Sequence, residues 1–322
     1  TSTKRKPAPN GNGDNGGHAM AAMSRSATTS PPSATRRRPL RPHPPGRKMA
    51  RMLSRIVACC GLLLALASSG SAGERVVILT LKDSIQPASL RYLERGLKAA
   101  ETSGAVLTVI ELNTPGGLLS SLREMTTAIT SARRPVVVYV TPTGAQAASA
   151  GFFLLMAADV AAMAPGTNTG AAHPVGGQGE DLAKTMGEKA TNDAAALVRS
   201  LATQRGRDVD AAEKAVRESA SYTERESLEK KLIDLVANDR TELLKLLEGR
   251  TVKRFDGHEE TLKLGALDVV EVLPSAADKL LSAIAHPNIA YLLLLAGIVG
   301  IYFELSNPGA IFPGVLGGIS LL

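Results

Sequence analysis

The sequence predicts an α/β fold in which helices pack on a largely parallel sheet. Between residues 75 and 163, short apolar runs rich in β-branched residues alternate with longer helical patterns, as in strands joined by crossover helices. Two turns of small residues, around 113–117 and 141–151, follow strand-like runs. Open α/β sheets gather their ligands beyond the carboxyl ends of strands, so these turns mark a candidate site.

In chain order, residues 1–48 are rich in Pro, Gly, Ser and Arg and almost free of large apolar side chains, so they are expected to form a disordered basic tail rather than a core. Residues 1–51 hold eleven Lys and Arg against one Asp, and since the whole chain is +7, the remainder carries −3. The basic balance therefore describes the tail and not the domain, and nucleic-acid binding is not expected. Residues 49–72 contain Arg51 and Arg55, an apolar run over 56–67 and a Ser/Gly/Ala stretch, the pattern of a signal peptide cleaved after Ala72. Both cysteines, Cys59 and Cys60, fall within it, so residues 73 onward rely on packing rather than disulfides.

Residues 73–274 read as one domain. A strand is expected over 75–81 and an amphipathic helix over 87–102, with Leu90, Leu93, Leu97 and Ala100 on one face. The run 105–112 is strand-like, 118–131 helical, 135–140 a buried strand, and 152–158 too apolar to face water. The polar, glycine-rich stretch 176–188 reads as a mobile loop or lid. Helices follow over 189–205 and 210–218. Thr223 to Glu226 is a capping box opening a short helix before a strand at 232–236. A helix over 241–248 and a hairpin around Asp256 and Gly257 complete the domain. Residues 275–288 form a linker. The uncharged run from Ile289, with Glu304 near its end, is just long enough to cross a bilayer, and a second apolar segment begins at Gly309. A membrane region over 289–322 is expected, its second span truncated, with the domain on the periplasmic or extracytoplasmic side.

Within the domain, Ser149 occupies a small-residue turn between a strand and an apolar helix, where a hydroxyl stands near the helix's unpaired N–H groups. On this segment alone it reads equally well as an ordinary helix cap. The Asn113-Thr-Pro-Gly116-Gly117 turn supplies a second element. Paired glycines let the backbone approach a ligand and turn N–H groups toward it, as an oxyanion hole requires.

The motifs Thr114-Pro-Gly-Gly117, Ala147-Ala-Ser149-Ala-Gly151 and Ala164-Pro-Gly-Thr-Asn-Thr-Gly170 together resemble the Clp-class serine peptidases, most closely the membrane-bound NfeD-like proteases. The likeness spans residues 75–322. It implies a ClpP/crotonase-like spiral of β-β-α units followed by C-terminal transmembrane helices. It also implies a serine endopeptidase that is at least a homodimer and cleaves apolar segments of stomatin-like membrane partners. Ser149 is the implied nucleophile, and the N–H groups of Gly117 and Ala150, with Gly116 beside them, form the implied oxyanion hole.

Two bases are in view. His173 follows Ser149 at about the spacing of the soluble Clp histidine, but Glu218 and Ser219 stand where an orienting Asp would be matched. In the NfeD-like branch the base is a lysine opening the helix after the lid, which Lys189-Ala-Thr-Asn192 matches, so the resemblance implies a Ser149–Lys189 dyad with His173 as the alternative. A lysine serves as a base only when neutral, which requires several units of pKa depression from about 10.4. No His/Cys/Asp cluster has metal-ligand spacing, so no metal or other cofactor is implied. A crotonase-type acyl-CoA enzyme and a non-catalytic scaffold for stomatin-type proteins are the competing functions. An exported, anchored site disfavours the first, and the joint presence of Ser149 and Lys189 the second.

Overall fold

The computed structural model describes residues 74–176, 179–285, 287–307, 309 and 311–321. The expected basic tail and signal peptide lie outside them.

The first half of the domain is a series of repeated steps. Strand β1 (Glu74–Leu81) leads to helix α1 (Pro87–Thr102), β2 (Leu107–Leu112) to α2 (Leu119–Thr130), and β3 (Val136–Val140) through the short β4 (Gln146–Ala148) to α3 (Ala150–Ala157). Then β5 (Val160–Met163) leads through β6 (Asn168–Gly170) to α4 (Lys184–Arg205) and α5 (Val209–Arg217). The second half holds β7 (Ser221–Thr223), α6 (Glu224–Glu229), β8 (Leu235–Val236), α7 (Arg240–Leu247), β9 (Thr251–Lys253), β10 (Glu259–Thr261) and β11 (Leu267–Val272). Three C-terminal helices follow: α8 (Ala276–Ala285), α9 (Pro287–Ser306) and α10 (Ile311–Leu321).

The main sheet has the order β11-β1-β2-β3-β5-β8, and every pairing in it is parallel. Strands β1, β2, β3 and β5 are buried on both faces along most of their length, which explains their largely continuous apolar sequence. Val136, Val138 and Val140 face a core shared with α1, α2 and α3, while Val137 and Tyr139 face one closed by α7 and the β9/β10 hairpin. A second layer of shorter pairings runs beside this sheet. Ile85 bridges Gly117, Thr114 bridges Ala147, and β4 pairs with β6, all in parallel, before β7 closes the layer antiparallel to β6. Each unit is thus a long strand, a short strand or bridge, and a helix, which is the expected β-β-α spiral.

Three features differ from the sequence reading. Helix α4 starts at Lys184 rather than Lys189: it runs through Gly187, whose N–H donates to the Ala183 carbonyl, so five residues assigned to the loop are helical. Strand β11, which the sequence reading lacks, adds to the β1 edge and carries exposed, charged positions that hide its periodicity; Arg75–Asp268 and Arg240–Glu271 pairs hold it. The three-residue strands β4, β6 and β7 were also missed, being too short to show a period.

Among the described residues, one helix, over Asn288–Ser306, is long and apolar enough to cross a membrane. The shorter apolar α10 packs antiparallel against it through glycines. A Cβ on Gly300 would meet the Pro313 carbonyl oxygen at 2.5 Å, and one on Gly317 would meet the Gly297 carbonyl oxygen at 2.8 Å. Small residues at such contacts let helix backbones approach closely in an apolar medium.

Candidate active site

Ser149 is the hinge of a forced turn. It lies between β4 and α3 with φ 52° and ψ −117°, a backbone region that L-residues rarely occupy, and it donates its N–H to the Gly170 carbonyl at 2.9 Å. Residues held in such conformations cost free energy and persist only where the surroundings over-determine them. Here both sides of the turn are fixed: β4 by its pairing with β6, and α3 by complete burial of all eight residues. The side chain of Ser149 makes no cap bond to its own helix. The hydroxyl is therefore not used as the cap that its position suggests.

The glycine turn lies against it. Gly116 has φ 117°, and a Cβ there would sit 2.6 Å from Ser149 Cβ and 3.0 Å from its Oγ. Gly117 has φ 155°, and a Cβ there would fall 2.1 Å from the Ile85 carbonyl oxygen. Both positions exclude side chains, for different reasons: Gly116 makes room for the serine, and Gly117 for the β1–α1 loop. Gly151 has the same character, since a Cβ there would meet Thr114 Cγ2 at 2.5 Å.

Hydrogen bonding separates the candidate oxyanion donors. The Gly116 N–H donates to Thr114 Oγ1 at 3.2 Å, and the Gly116 carbonyl accepts from the Ile85 N–H at 2.7 Å. Gly116 thus contributes space rather than a donor. The bridge to Ile85 uses the Gly116 carbonyl and the Leu118 N–H, leaving the Gly117 N–H outside the pairing. Ala150 is the first residue of α3, and N–H groups of a first helical turn have no intrahelical acceptor. Those two N–H groups, one in the turn that packs on Ser149 and one on the residue after it, are the ones left to meet a carbonyl oxygen.

Among the described residues, neither candidate base is hydrogen-bonded to Ser149. His173 is half-buried, and its Nδ1 lies 3.0 Å from the Val216 carbonyl oxygen, so Nδ1 is the donor in that contact and Nε2 takes no part in it. Lys189 lies on the second turn of α4 and is exposed. No residue of α4 before Ala194 is buried, so the first turns project beyond the core. The projecting part is held one turn further on by Arg123–Asp193 and by Arg217 donating to Asn192.

The far end of α3 is anchored by two arginines, Arg205 closing α4 and Arg207 just beyond it. Arg205 donates to the Ala157 carbonyl and pairs with Asp159 at 2.7 Å. Arg207 donates to the carbonyls of Leu155, Met156 and Ala158 and pairs with Asp234. These bonds satisfy the carbonyls that a helix C-terminus leaves open and place positive charge at the negative end of its dipole. Burial pulls the Arg205 guanidinium below its ordinary value, while Asp159 pushes it back up. Sequence reasoning missed this anchor and the roles of Ile85 and Gly170. Gly170 had a signal, as the last residue of the third motif; Ile85 had none, because its part is played by backbone.

Residues 75–270 match the NfeD1b N-terminal domain, and residues 288–322 match the NfeD integral membrane domain. The chain belongs to the NfeD family. Its relatives include "Membrane-bound protease PH1510" from Pyrococcus horikoshii, 35% identical over 272 residues that cover 84% of this chain and 62% of that one. "Membrane protein NfeD1b" from Bacillus subtilis is 28% identical over 249 residues, covering 77% and 55%. The chain thus spans roughly three-fifths of the length of these NfeD relatives. Among solved structures, a lysine-to-alanine mutant of the 1510-N membrane-bound stomatin-specific protease in complex with a substrate peptide superposes with TM-score 0.61 at 33% identity, covering 66% of this chain and 98% of that one. A serine-to-alanine mutant of the same NfeD-type protease gives TM-score 0.59 at 32% identity, covering 63% and 100%. The fold, the family and attachment to the membrane through an NfeD membrane domain are thereby shown.

Proposed function

We propose that this chain is a membrane-anchored serine endopeptidase in which Ser149 attacks the scissile carbonyl and Lys189 takes its proton. The Gly117 and Ala150 N–H groups hold the oxyanion, Lys189 returns the proton to the leaving amine, and water then releases the acyl-enzyme. The observation that carries this reading is the strained Ser149 turn pressed against Gly116, with the Gly117 N–H outside the neighbouring pairing. In the homologous 1510-N protease the substituted serine precedes the substituted lysine at nearly the interval that separates Ser149 from Lys189, which supports Lys189 as the base. Lys189 is exposed in the free chain, so bound substrate must exclude water around it before it can lose its proton.

The substrate class follows the relative, whose name gives it as stomatin-specific, and we extend that to apolar segments of a stomatin-like membrane protein. Exposed Leu118 and Leu119 directly after the glycine turn, with Val175 before α4 and Met186 in its first turn, support an apolar substrate. A functional homodimer is part of the same reading. So is an extracytoplasmic domain held by α9 and α10 in the membrane, behind the signal peptide expected at 49–72. Reporter fusions near Ala237 that work only in the cytoplasm would reverse the topology.

His173 supports a second reading of the base, because its Nδ1 bond to Val216 leaves Nε2 available. Labelling by an active-site serine probe tests the function itself. Wild type should label and Ser149→Ala should not, whereas equal labelling of both, or of neither, favours the scaffold.

A further inference from the structure

The loop between β1 and α1 touches two things at once. On one side, Ile85 forms the bridge to the glycine turn: its N–H donates to the Gly116 carbonyl at 2.7 Å and its carbonyl accepts from the Leu118 N–H at 2.8 Å. On the other side, the residues flanking Ile85 hold the membrane-proximal helix. Ser282 of α8 donates to Asp83, and the Gln86 side-chain amide donates to Ser282 Oγ at 2.7 Å and to Asp83 at 3.4 Å. The loop is stiff between these contacts. Ser84 N–H donates to Asp83 at 2.7 Å, Gln86 N–H donates to Ser89 Oγ at 2.8 Å, and Ile85 is fully buried.

Helix α8 has a second tether at its start, where Asp278 pairs with Arg95 at 2.7 Å. One residue after α8 ends, the apolar α9 begins. The five-residue β1–α1 loop therefore joins α8, which leads into the apolar α9, to the backbone carrying the Gly117 N–H.

We infer that Asp83, Gln86 and Ser282 are positioning residues for the oxyanion hole, through which the membrane-proximal helix α8 sets the place of the Gly117 N–H. This rests on the serine-peptidase reading. The physical case is that an oxyanion donor works only when fixed before charge develops. Thr114 Oγ1 braces Gly116 from within the turn, whereas Gly117, without a side chain, lies between the two backbone bonds that Ile85 makes to Gly116 and Leu118. Three polar side chains converging on one contact hold that backbone from behind.

The test uses the full chain in detergent micelles with Ser282→Ala, which removes only the α8 side of the clasp, and Ser282→Thr, which keeps the hydroxyl. Amide exchange at Ile85 and Leu118 should quicken about tenfold in Ser282→Ala, and kcat on an apolar peptide should fall about tenfold with KM within about twofold. Ser282→Thr should restore both. Unchanged exchange in Ser282→Ala overturns the coupling, and so does faster exchange with kcat intact. If the wild-type chain cleaves no peptide, the function reading fails on its own, and the exchange measurement still decides whether α8 holds the glycine turn.

Discussion

Gly116 and Ser149 occupy adjoining space so tightly that a single methyl on the glycine would sit 2.6 Å from Ser149 Cβ. The space open to the Ser149 hydroxyl is therefore set by what its neighbour lacks. Gly116→Ala should lower kcat by about a hundredfold or more, through displacement of the hydroxyl and strain at φ 117°. Gly104→Ala is the control. Gly104 also has positive φ, but nothing lies within 4 Å of a Cβ there, so this change should cost about 1 kcal/mol of stability and leave kcat unaltered.

The base is decided by two substitutions. Lys189→Ala should reduce peptide cleavage nearly as far as Ser149→Ala, because a serine hydroxyl is a weak nucleophile without a positioned base. His173→Ala should keep most activity, its ring then serving to tie residue 173 to the Val216 carbonyl. Loss in His173→Ala with Lys189→Ala still active would move the mechanism to a histidine base. A rise in kcat/KM toward alkaline pH in the wild type would agree with lysine, though a lysine depressed by substrate burial can resemble histidine, so the substitutions carry more weight.

Much of this was legible in the sequence because apolar periodicity and glycine chemistry both leave marks. Val136 to Val140 reads as a buried strand from its β-branched run, and Gly116-Gly117, a weak signal alone, gains meaning as a close backbone approach beside the serine turn. The rest was written in backbone contacts and polar surfaces. Ile85 acts through its N–H and carbonyl, which any residue possesses. Residues 184–188 look like loop because Lys184, Thr185, Gly187 and Glu188 are poor core formers, yet they continue a helix whose buried residues begin only at Ala194.

The anchor at the far end of α3 should be a large single contribution to stability. Arg207 is buried, bonded to three carbonyls and paired with Asp234. Arg207→Ala leaves those acceptors without donors and the carboxylate without its closest cation, a change expected to cost roughly 3 kcal/mol. Urea unfolding in detergent should show a lower midpoint with an unchanged slope. A midpoint equal to wild type would mean that water or Arg250, which stands 3.9 Å from Asp234, takes over the role.

The tether of α8 should respond to acid. Arg95 hydrogen-bonded to Asp278, helped by the hydroxyl and N–H of Ser275, holds this carboxyl down at about 2, against 3.8 for an ordinary aspartate. A folded-state value below the unfolded one means that the ionised carboxylate stabilises the docked helix. That contribution is full above pH 4 and drains away as pH falls from about 4 toward 2. At about 1.4 kcal/mol per unit, the shift amounts to roughly 2 kcal/mol for a side chain only 10% exposed. Asp278→Asn should therefore lower amide protection at Ser275 and along α8 when measured at pH 6, and the gap from wild type should narrow steadily below pH 4. A gap of constant size from pH 6 to pH 3 would show that the Asn amide fails for steric reasons and that the Arg95 pairing adds nothing to docking. If the gap narrows as expected, acid loosens the start of α8 through the loss of the Arg95–Asp278 pairing, and the Ser282 contact to Asp83 and Gln86 is read separately at Ile85.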